Sequence, residues 1–352
     1  MKHTALENFI RKFYCEKEFP ALAAQIRNWQ TTPVLTGKKI LDATPVFRNT
    51  MVKYCALLAA GADLTVSVGQ DIPCDPEIVK LLPDFGIPVA DADTFNETFD
   101  AVADCAGRHK DISSRCGYAE LTRSGLEYYR NCSQPVFSVD SGVLKRFETA
   151  LGTGESFVRA MRELGLDISG KKLLVFGGGK VGSGTAYCAM RAGAEVTVAD
   201  IARPVLPDGV NFINANDTAL VSSYIAASWC IVSATGLPGV LAPHVPALLS
   251  SQALIANMGV EDEFSPALPP ERVLNRKLPL NFMLDEPTSL RYIDPSMALS
   301  NAALVQLISG HMPPGISLPP EPLENAILED IRSAGLLNND IDFVLNQREV
   351  NL

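Results

Sequence analysis

The sequence contains few histidines and no closely spaced cysteines. Its only histidines are His3, His109, His244 and His311, and none of its eight cysteines forms a Cys-x-x-Cys pair. This spacing excludes the usual zinc-binding motifs, and we expect no metal site. Several cysteines lie in apolar runs such as KYCALLAA and SWCIVSAT, which favours buried free thiols in a reducing compartment over a disulfide framework.

Long apolar runs and an excess of positive charge are also missing. No apolar run approaches the roughly 20 residues that a membrane-spanning helix needs, and the charges throughout MKHTALENFIRKFYCEKEFP do not fit a signal peptide. The formal net charge of −10 disfavours nucleic acid and anionic membranes as partners, because both would repel the chain. We therefore expect a soluble cytoplasmic protein whose partner is a small-molecule substrate.

The chain does contain an alternation of strand-like and helix-like segments. KILDAT, LTVSV, IPVAD, AVADC and PVFSVD have the pattern of strands, and a second series of strands and helices starts at KLLVFG. Such alternation predicts parallel α/β sheets, and 352 residues indicate about two domains. The predicted fold class is α/β, with two Rossmann-like domains on doubly wound parallel sheets. Residues 4–30 predict one long amphipathic helix.

A glycine-rich turn, GGGKVGSG, follows the apolar run KLLVF and opens a predicted helix. Gly177, Gly179 and Gly182 match the G-x-G-x-x-G pattern, in which the glycines allow a tight turn, close approach of a pyrophosphate and close helix packing. The helix N-terminus favours phosphate. Lys180 and Val181 complete the predicted cofactor-binding turn, and we expect NAD as the cofactor.

Three later segments add residues to this predicted NAD site. The strand EVTVAD ends in Asp200, 21 residues after Gly179, where an acid bonds the ribose hydroxyls and repels a 2′-phosphate. Arg203 follows three residues later and could bind a 2′-phosphate, so NADP stays an alternative cofactor. Thr235 and Gly236 in SATGLPG, and Asn257 in ANMG, end two further strands, where they either face the nicotinamide or serve as ordinary turn residues.

The chain resembles the adenosylhomocysteinase superfamily. The similarity is densest in SVDSGVLKRFETALGTGESFVRAM, 138–161, continues through GKKLLVFGGGKVGSG and SATG, and returns in DPSMALSNAALVQLI, 294–308. The resemblance implies tightly held NAD that transiently oxidises a substrate hydroxyl, so that a neighbouring group can be eliminated. It also implies a homo-oligomer, with a dimer as the expected state and residues 294–320 as an interface. We expect an NAD domain at 146–290, inserted into a substrate domain made of 1–145 and 291–352.

Several positions depart from the family's substrate-binding pattern. Pro45 and Phe47 replace the histidine and threonine of a His-Met-Thr motif, and Leu144 stands at the position of a lysine. Val260 and Asp294 replace two further histidines. A site without these hydrogen-bonding groups could not hold an adenosine selectively. The sequence therefore predicts a relative with a different substrate.

Other positions match the family or offer acid/base chemistry. Asp104 matches a substrate-site aspartate, and Glu120 with Thr122 matches an acidic and threonine-rich segment, so Glu120 and Thr122 are predicted to bind substrate. The predicted catalytic residues are Asp104, His109, Lys145, Glu148 and Asp294.

Each of these catalytic assignments has an alternative. Lys145 and Glu148, spaced i, i+3 on one helical face, form either a lysine acid/base with a tuning carboxylate or an exposed ion pair. His109, in GRHKD, is a proton carrier or part of a solvated basic loop. Asp104 and Asp294 are catalytic residues or helix caps.

The substrate itself is suggested by arginines. Arg48 at a helix start, with Arg123 and the basic cluster 108–110, indicates a carboxylate-bearing substrate, since arginine binds carboxylate in a bidentate fashion; the alternative is a surface arginine. The acidic segment 261–263 predicts a solvated loop.

Two functions remain open from the sequence. The first is an NAD-dependent oxidoreductase that transfers hydride to or from a small polar metabolite, or uses redox to enable an elimination. The second is a non-catalytic NAD-binding protein that works through protein contacts. Retained adenosylhomocysteine hydrolysis is the least favoured.

Overall fold

The computed structural model describes residues 2–69, 72–91, 97–310 and 312–346. Contacts divide the chain into two compact units. Unit 1 comprises Met1–Lys145 and Ile293–Asn339, and unit 2 comprises Arg146–Tyr292 with the residues from Asp340 onward. Over the described residues, each unit contains one parallel β-sheet. This confirms the predicted fold class, two Rossmann-like α/β domains.

The strands are numbered along the chain. They are β1 Lys39–Asp42, β2 Asp63–Val68, β3 Val89–Asp91, β4 Ala101–Asp104, β5 Tyr118–Glu120, β6 Pro135–Ser138, β7 Lys172–Phe176, β8 Glu195–Asp200, β9 Asn211–Asn214, β10 Cys230–Ser233, β11 Leu254–Asn257 and β12 Gly315–Ser317.

The α-helices are numbered in the same way. They are α1 Lys2–Ile10, α2 Pro20–Thr31, α3 Thr50–Ala59, α4 Pro76–Leu81, α5 Arg123–Leu126, α6 Leu144–Arg146, α7 Thr153–Glu163, α8 Lys180–Arg191, α9 Thr218–Ala227, α10 Val245–Ser250, α11 Leu290–Ile308, α12 Glu321–Ala334 and α13 Asn338–Asn346. Short 3-10 helices cover Glu16–Glu18, Leu82–Phe85, Glu127–Tyr129, Ala242–His244, Pro270–Arg272, Leu274–Lys277 and Leu280–Met283.

In the described part of unit 1, the sheet has seven strands in the order β12-β6-β5-β4-β1-β2-β3. All pairings are parallel. The chain runs outward from β1 through β2 to β3 and then returns to the other side of β1 with β4. The point where the strand order reverses therefore lies between β1 and β4, and in open α/β sheets ligands bind at the carboxyl ends of strands at such a point.

The sheet of unit 2 has five parallel strands in the order β11-β10-β7-β8-β9. Its strand order reverses between β7 and β10. Leu173 and Val175 of β7 belong to the core cluster on one face, and Leu174 and Phe176 to the cluster on the other. Side chains alternate along a strand, and both faces are apolar because helices cover both sides of a parallel sheet.

Two local features differ from the sequence predictions. The single helix predicted over 4–30 is two helices, α1 and α2, because Pro20 occupies the first turn of a new helix, the position where its missing N–H costs nothing. Strands β5 and β12, of three residues each, were not predicted.

The segment Phe147–Gly152 is a π-helix. The prediction that Lys145 and Glu148 share one helical face assumes α-helical spacing, and the π-helical turn does not provide it. Next to this segment α7 and α8 are in close contact. A Cβ on Gly154 would lie 2.2 Å from the Gly184 carbonyl oxygen. A Cβ on Gly184 would lie 2.1 Å from the Ala150 carbonyl oxygen. This close contact fixes the position of α8.

Candidate functional site

The glycine-rich turn of unit 2 connects β7 to α8. Gly177 has a φ of +94°, and a Cβ there would lie 2.5 Å from the Ala234 carbonyl oxygen. A Cβ on Gly182 would lie 1.9 Å from the Gly177 carbonyl oxygen. Gly179 caps α8, and nothing lies within 4 Å of its Cβ position. The turn is thus closed toward the protein and open at the helix N-terminus, where a pyrophosphate binds.

The predicted ribose ligand Asp200 ends β8 beside this turn. Its Oδ2 accepts a hydrogen bond from the Gly178 amide at 2.6 Å, and its Oδ1 accepts one from the Ala202 amide at 3.4 Å. The guanidinium of Arg203 lies over the Phe212 ring, 5.7 Å from its centroid. In this arrangement Asp200 supplies negative charge at the turn, and Arg203 stacks on an aromatic ring.

The loop after β10 is held by a buried glutamate that sequence reasoning missed. Glu263 is fully buried, although segment 261–263 was predicted to be a solvated loop. Its Oε2 accepts hydrogen bonds from the Thr235 amide at 2.9 Å and the Thr235 Oγ1 at 2.7 Å, and its Oε1 accepts one from the Gly236 amide at 2.7 Å. The Ser233 hydroxyl also donates to it. Thr235 and Gly236 therefore owe their position to Glu263.

The remaining predicted cofactor residues lie at the same edge of unit 2. The buried Asn257 amide donates to the carbonyl oxygens of Glu261 at 3.0 Å and Lys277 at 2.7 Å. It therefore fixes the loop after β11, and its predicted contact with nicotinamide stays a prediction. Lys180 is exposed at the start of α8, and Val181 is partly buried against the core.

In unit 1 the carboxyl ends of neighbouring strands carry buried polar residues. They are Asp42 of β1, Ser67 of β2, Asp104 of β4, Glu120 of β5 and Ser138 of β6, all at most 1% exposed. Buried polar groups are costly unless they are hydrogen-bonded, so a row of them at one sheet edge needs a network of partners. This row includes both strands that flank the reversal of strand order in unit 1.

Asp104 is the centre of that network. Its Oδ1 accepts a hydrogen bond from the Cys105 amide at 2.8 Å, and its Oδ2 accepts from the His109 amide at 3.0 Å and the Tyr129 hydroxyl at 2.5 Å. Burial raises the pKa of Asp104 above its ordinary value against the opposing effect of these bonds. Burial and the charge of Asp104 also raise the pKa of Tyr129.

Glu120 lies in a ring of donors from two loops. It accepts hydrogen bonds from the amides of Ala106 and Gly107, both at 3.1 Å, and from the amide and hydroxyl of Thr122 at 2.7 and 2.6 Å. Ala106 and Gly107 both have left-handed φ, +61° and +66°, a backbone form that forms anion-binding concavities. Burial and then the charge of Asp104 raise the pKa of Glu120 to about 7.

His109 lies inside unit 1, so the prediction of a solvated basic loop is wrong for this residue. Its side chain is 1% exposed, and its Nε2 lies 2.8 Å from the Ser67 hydroxyl oxygen. Which atom donates depends on the imidazole tautomer. The neighbouring Lys110 is exposed. An imidazole next to a hydroxyl is a pair through which a proton can be relayed.

A buried ion pair also lies at this edge and was not predicted. Lys53 of α3 and Asp42 of β1 are fully buried and bonded to each other, and Asp42 also accepts from the Thr44 amide at 2.9 Å. The hydroxyl of Tyr54 is buried without a hydrogen-bond partner among the described residues. The one available signal was a lysine within the apolar segment MVKYCALLA.

Other predicted site residues have positions that the sequence did not show. Both carboxylate oxygens of Asp294 accept amides of α2, those of Ala21 and Leu22, at 3.0 Å each. Asp294 lies inside α11, so the local helix cap that the sequence left open is wrong; it bonds instead to the N-terminus of the distant helix α2, and burial raises its pKa to about 7. The guanidinium of Arg48 lies over the Phe13 ring at 4.8 Å.

The last two predicted catalytic residues lie near residue 146. Lys145 is 4% exposed, and Glu148 is half-buried in the π-helical segment. Their catalytic roles stay predictions. Thr122 caps α5 by accepting the Gly125 amide at 3.1 Å, which adds a structural task to its predicted substrate contact.

Membrane-spanning helices and metal-binding clusters are both missing from the described part of the chain. Within the described residues, no helix has the length and apolar character to cross a bilayer. Over these residues there is also no group of three or more His, Cys, Asp or Glu side chains that could hold a metal ion. All eight cysteines are free thiols.

Comparison with known proteins agrees with the geometry of unit 2. A family model described as "Putative NAD(P)-binding" matches residues 164–258, which contain the glycine-rich turn, Asp200, Thr235 and Asn257. The turn, open at the N-terminus of α8, and this match define an NAD(P)-binding Rossmann-type domain. The chain thus binds NAD(P) through unit 2.

Among solved structures, the chain is similar to a dipicolinate synthase subunit from Bacillus halodurans, with 12% identity, 78% of this chain and 99% of that chain covered, and a TM-score of 0.49. It is similar to transhydrogenase from Sinorhizobium meliloti, with 16% identity, coverages of 79% and 96%, and a TM-score of 0.48. A third is the TT0316 protein from Thermus thermophilus, with 16% identity, coverages of 79% and 99%, and a TM-score of 0.45.

Proposed function

We propose that this chain is an NAD-dependent oxidoreductase-type enzyme acting on a small polar, carboxylate-bearing metabolite. The observation that carries the proposal is the open glycine-rich turn with Asp200 bonded to the Gly178 amide at 2.6 Å. A carboxylate at that place favours ribose hydroxyls over a 2′-phosphate, which supports NAD over NADP. When bound, the nicotinamide supplies the hydride acceptor or donor.

The substrate site that we propose is the carboxyl edge of the sheet in unit 1. It lies where the strand order reverses, between β1 and β4, and it carries the buried network around Asp104. Arg48, half-buried at the start of α3, is the proposed partner of the substrate carboxylate because a guanidinium binds carboxylates with two parallel hydrogen bonds.

His109 is the proton carrier that the network supports best. Oxidation of a hydroxyl group moves a hydride to the cofactor and leaves the hydroxyl proton to be removed by a base. His109, with Ser67 at 2.8 Å, can take that proton at Nε2 directly or through the serine hydroxyl. Asp104 holds the backbone of His109 in place through the amide bond at 3.0 Å. Asp104 is thus a positioning residue in this proposal.

Descent from the adenosylhomocysteinase superfamily is part of the same proposal. Asp104 and Glu120, the positions that match the family, are both buried at strand ends, and Asp294, which replaces a histidine, caps α2. The changed residues support a changed substrate. The homodimer that the resemblance implies belongs to this proposal as well.

The first experiment measures cofactor content and preference. Nucleotides released from the denatured protein are identified and counted, and the dissociation constants of NAD+, NADH and NADP+ are measured by titration. We expect NAD+ or NADH to bind more tightly than NADP+. A protein that binds no dinucleotide would contradict the proposal.

The second experiment tests for turnover. Hydroxy acids, keto acids and amino acids are supplied with NAD+ or NADH, and nicotinamide absorbance is followed for the wild type and for His109→Gln. Turnover that the substitution abolishes supports the enzyme. Cofactor binding without turnover on any substrate would favour the non-catalytic NAD-binding protein instead.

A further inference from the structure

Glu263 has an unusual environment for a residue in an acidic surface-like segment. It is 0% exposed, and among the described residues two main-chain amides and two hydroxyls are hydrogen-bonded to its carboxyl group. The two main-chain amides can only donate to it, and an ionised carboxylate can accept from all of these partners. These partners could stabilise a buried carboxylate, which would be costly to bury without them.

The position of the Glu263 carboxyl group relates it to the dinucleotide. Its partners Thr235 and Gly236 follow β10, and β10 is next to β7 in the sheet. A Cβ on Gly177, in the glycine-rich turn, would lie 2.9 Å from the Cα of Thr235. The Glu263 carboxylate also reaches the loop after β11, because a Cβ on Gly259 would lie 2.4 Å from its Oε1. Glu263, which follows β11, thus connects the loop after β10 to the loop after β11. Both strands lie on one side of β7, and β8 with Asp200 lies on the other.

A dinucleotide at such a sheet edge extends from the ribose-binding acid, across the glycine-rich turn, to the opposite half of the sheet. Asp200 marks the adenosine half of the site on β8. The loops after β10 and β11 therefore border the nicotinamide half, and they carry Glu263 behind them.

We propose that Glu263 is a positioning residue for the nicotinamide half of the cofactor, and that its charge favours the oxidised form. It fixes Thr235 and Gly236 through hydrogen bonds, and it places a buried negative charge near a ring that is positive in NAD+ and neutral in NADH. Coulomb interactions in a protein interior are weakly screened. This inference rests on the dinucleotide binding of the proposed function.

Two substitutions separate the positioning effect from the charge effect. Glu263→Gln keeps the size and removes the charge, and its NH2 group also loses one bond to a main-chain amide. The lost bond weakens both forms alike and the lost charge weakens only the oxidised form, so the dissociation constant of NAD+ is expected to rise about tenfold and that of NADH only about twofold. Glu263→Asp keeps the charge but shortens the side chain, so both constants are expected to rise by similar factors. Glu195→Gln is the matched control, because Glu195 is exposed at the start of β8 in the same unit.

The measurement is the ratio of the NAD+ and NADH dissociation constants, with thermal unfolding of each variant as a check on folding. A purely structural role would weaken both forms alike, so an unchanged ratio in Glu263→Gln would overturn the charge effect. Should that variant fail to fold, wild-type affinities in Glu263→Asp would overturn the positioning effect. If the wild type binds neither NAD+ nor NADH, the proposed function itself is contradicted. If the wild type binds both but the ratio of their dissociation constants is unchanged in Glu263→Gln, only this inference is contradicted.

Discussion

The hydroxyl of Tyr129 donates a hydrogen bond of 2.5 Å to Asp104 Oδ2, and both side chains are at most 1% exposed. Asp104 also accepts the amides of Cys105 and His109. The tyrosine therefore helps to hold the loop that positions His109, although it lies 25 residues away from Asp104 in the sequence.

Removing that hydroxyl is expected to affect both stability and the site. Tyr129→Phe keeps the ring and leaves a buried acceptor with one fewer donor, so the free energy of unfolding should fall by about 1–3 kcal/mol. Chemical denaturation measures the loss. Tyr128→Phe is the control because Tyr128 is 60% exposed, and an equal loss in both variants would contradict a special role for Tyr129.

Two glycines of the cofactor turn should respond differently to alanine. Gly182→Ala places a Cβ 1.9 Å from a backbone oxygen, so it should destabilise the fold by about 3 kcal/mol or more. In Gly179→Ala the added Cβ has no atom within 4 Å, and the backbone at this position does not have a left-handed φ. It should leave thermal stability unchanged and weaken NAD+ binding, since its methyl group faces the phosphate side.

Unfolding curves and NAD+ titrations of the two variants check this pair. Normal NAD+ affinity in Gly179→Ala would show that the pyrophosphate does not approach the turn there.

Cofactor selectivity is expected to depend on Asp200. Asp200→Ser removes the charge that repels a 2′-phosphate, so the preference for NAD+ over NADP+ should fall by at least about tenfold. The two dissociation constants are compared in the variant, in the wild type and in Asp208→Asn, a control on an exposed acid of the following loop. If Asp200→Ser keeps the wild-type preference for NAD+ over NADP+, another residue must contact the ribose hydroxyls.

The buried carboxyl of Asp294 should make stability depend on pH. Its pKa rises from an ordinary 3.8 to about 7 because of burial, so between these values the folded protein binds more protons than the unfolded chain. Stability therefore falls as pH rises from about 4 to about 7. Glu120, whose pKa is also raised to about 7, acts in the same direction.

Asp294→Asn can still cap α2 through its amide oxygen but does not titrate. Between about pH 4 and 7 the free energy of unfolding should change less in this variant than in the wild type. The difference between the two changes should exceed about 1 kcal/mol. Denaturation curves at several pH values measure it, and a wild-type slope in the variant would contradict the assignment.

Much of the fold follows from local pattern. The run KLLVF followed by the glycine-rich turn predicts a strand, a tight turn and a helix start, and β7, Gly177 and α8 occur at those positions. Asp200 could be placed because a Rossmann unit fixes its distance along the chain from the glycines. The three-residue strands β5 and β12 could not, because they owe their form to the neighbouring strand β6.

Assignment of the polar residues depended on contacts between distant segments. The sequence alone determined the α/β class and the dinucleotide-binding turn, since periodicity and glycine geometry are properties of short segments. Only the tertiary structure decided that Glu263 is a buried carboxylate, that Asp294 caps α2, and that Lys53 pairs with Asp42. Whether a charged side chain is solvated or buried is decided by the partners that folding brings to it.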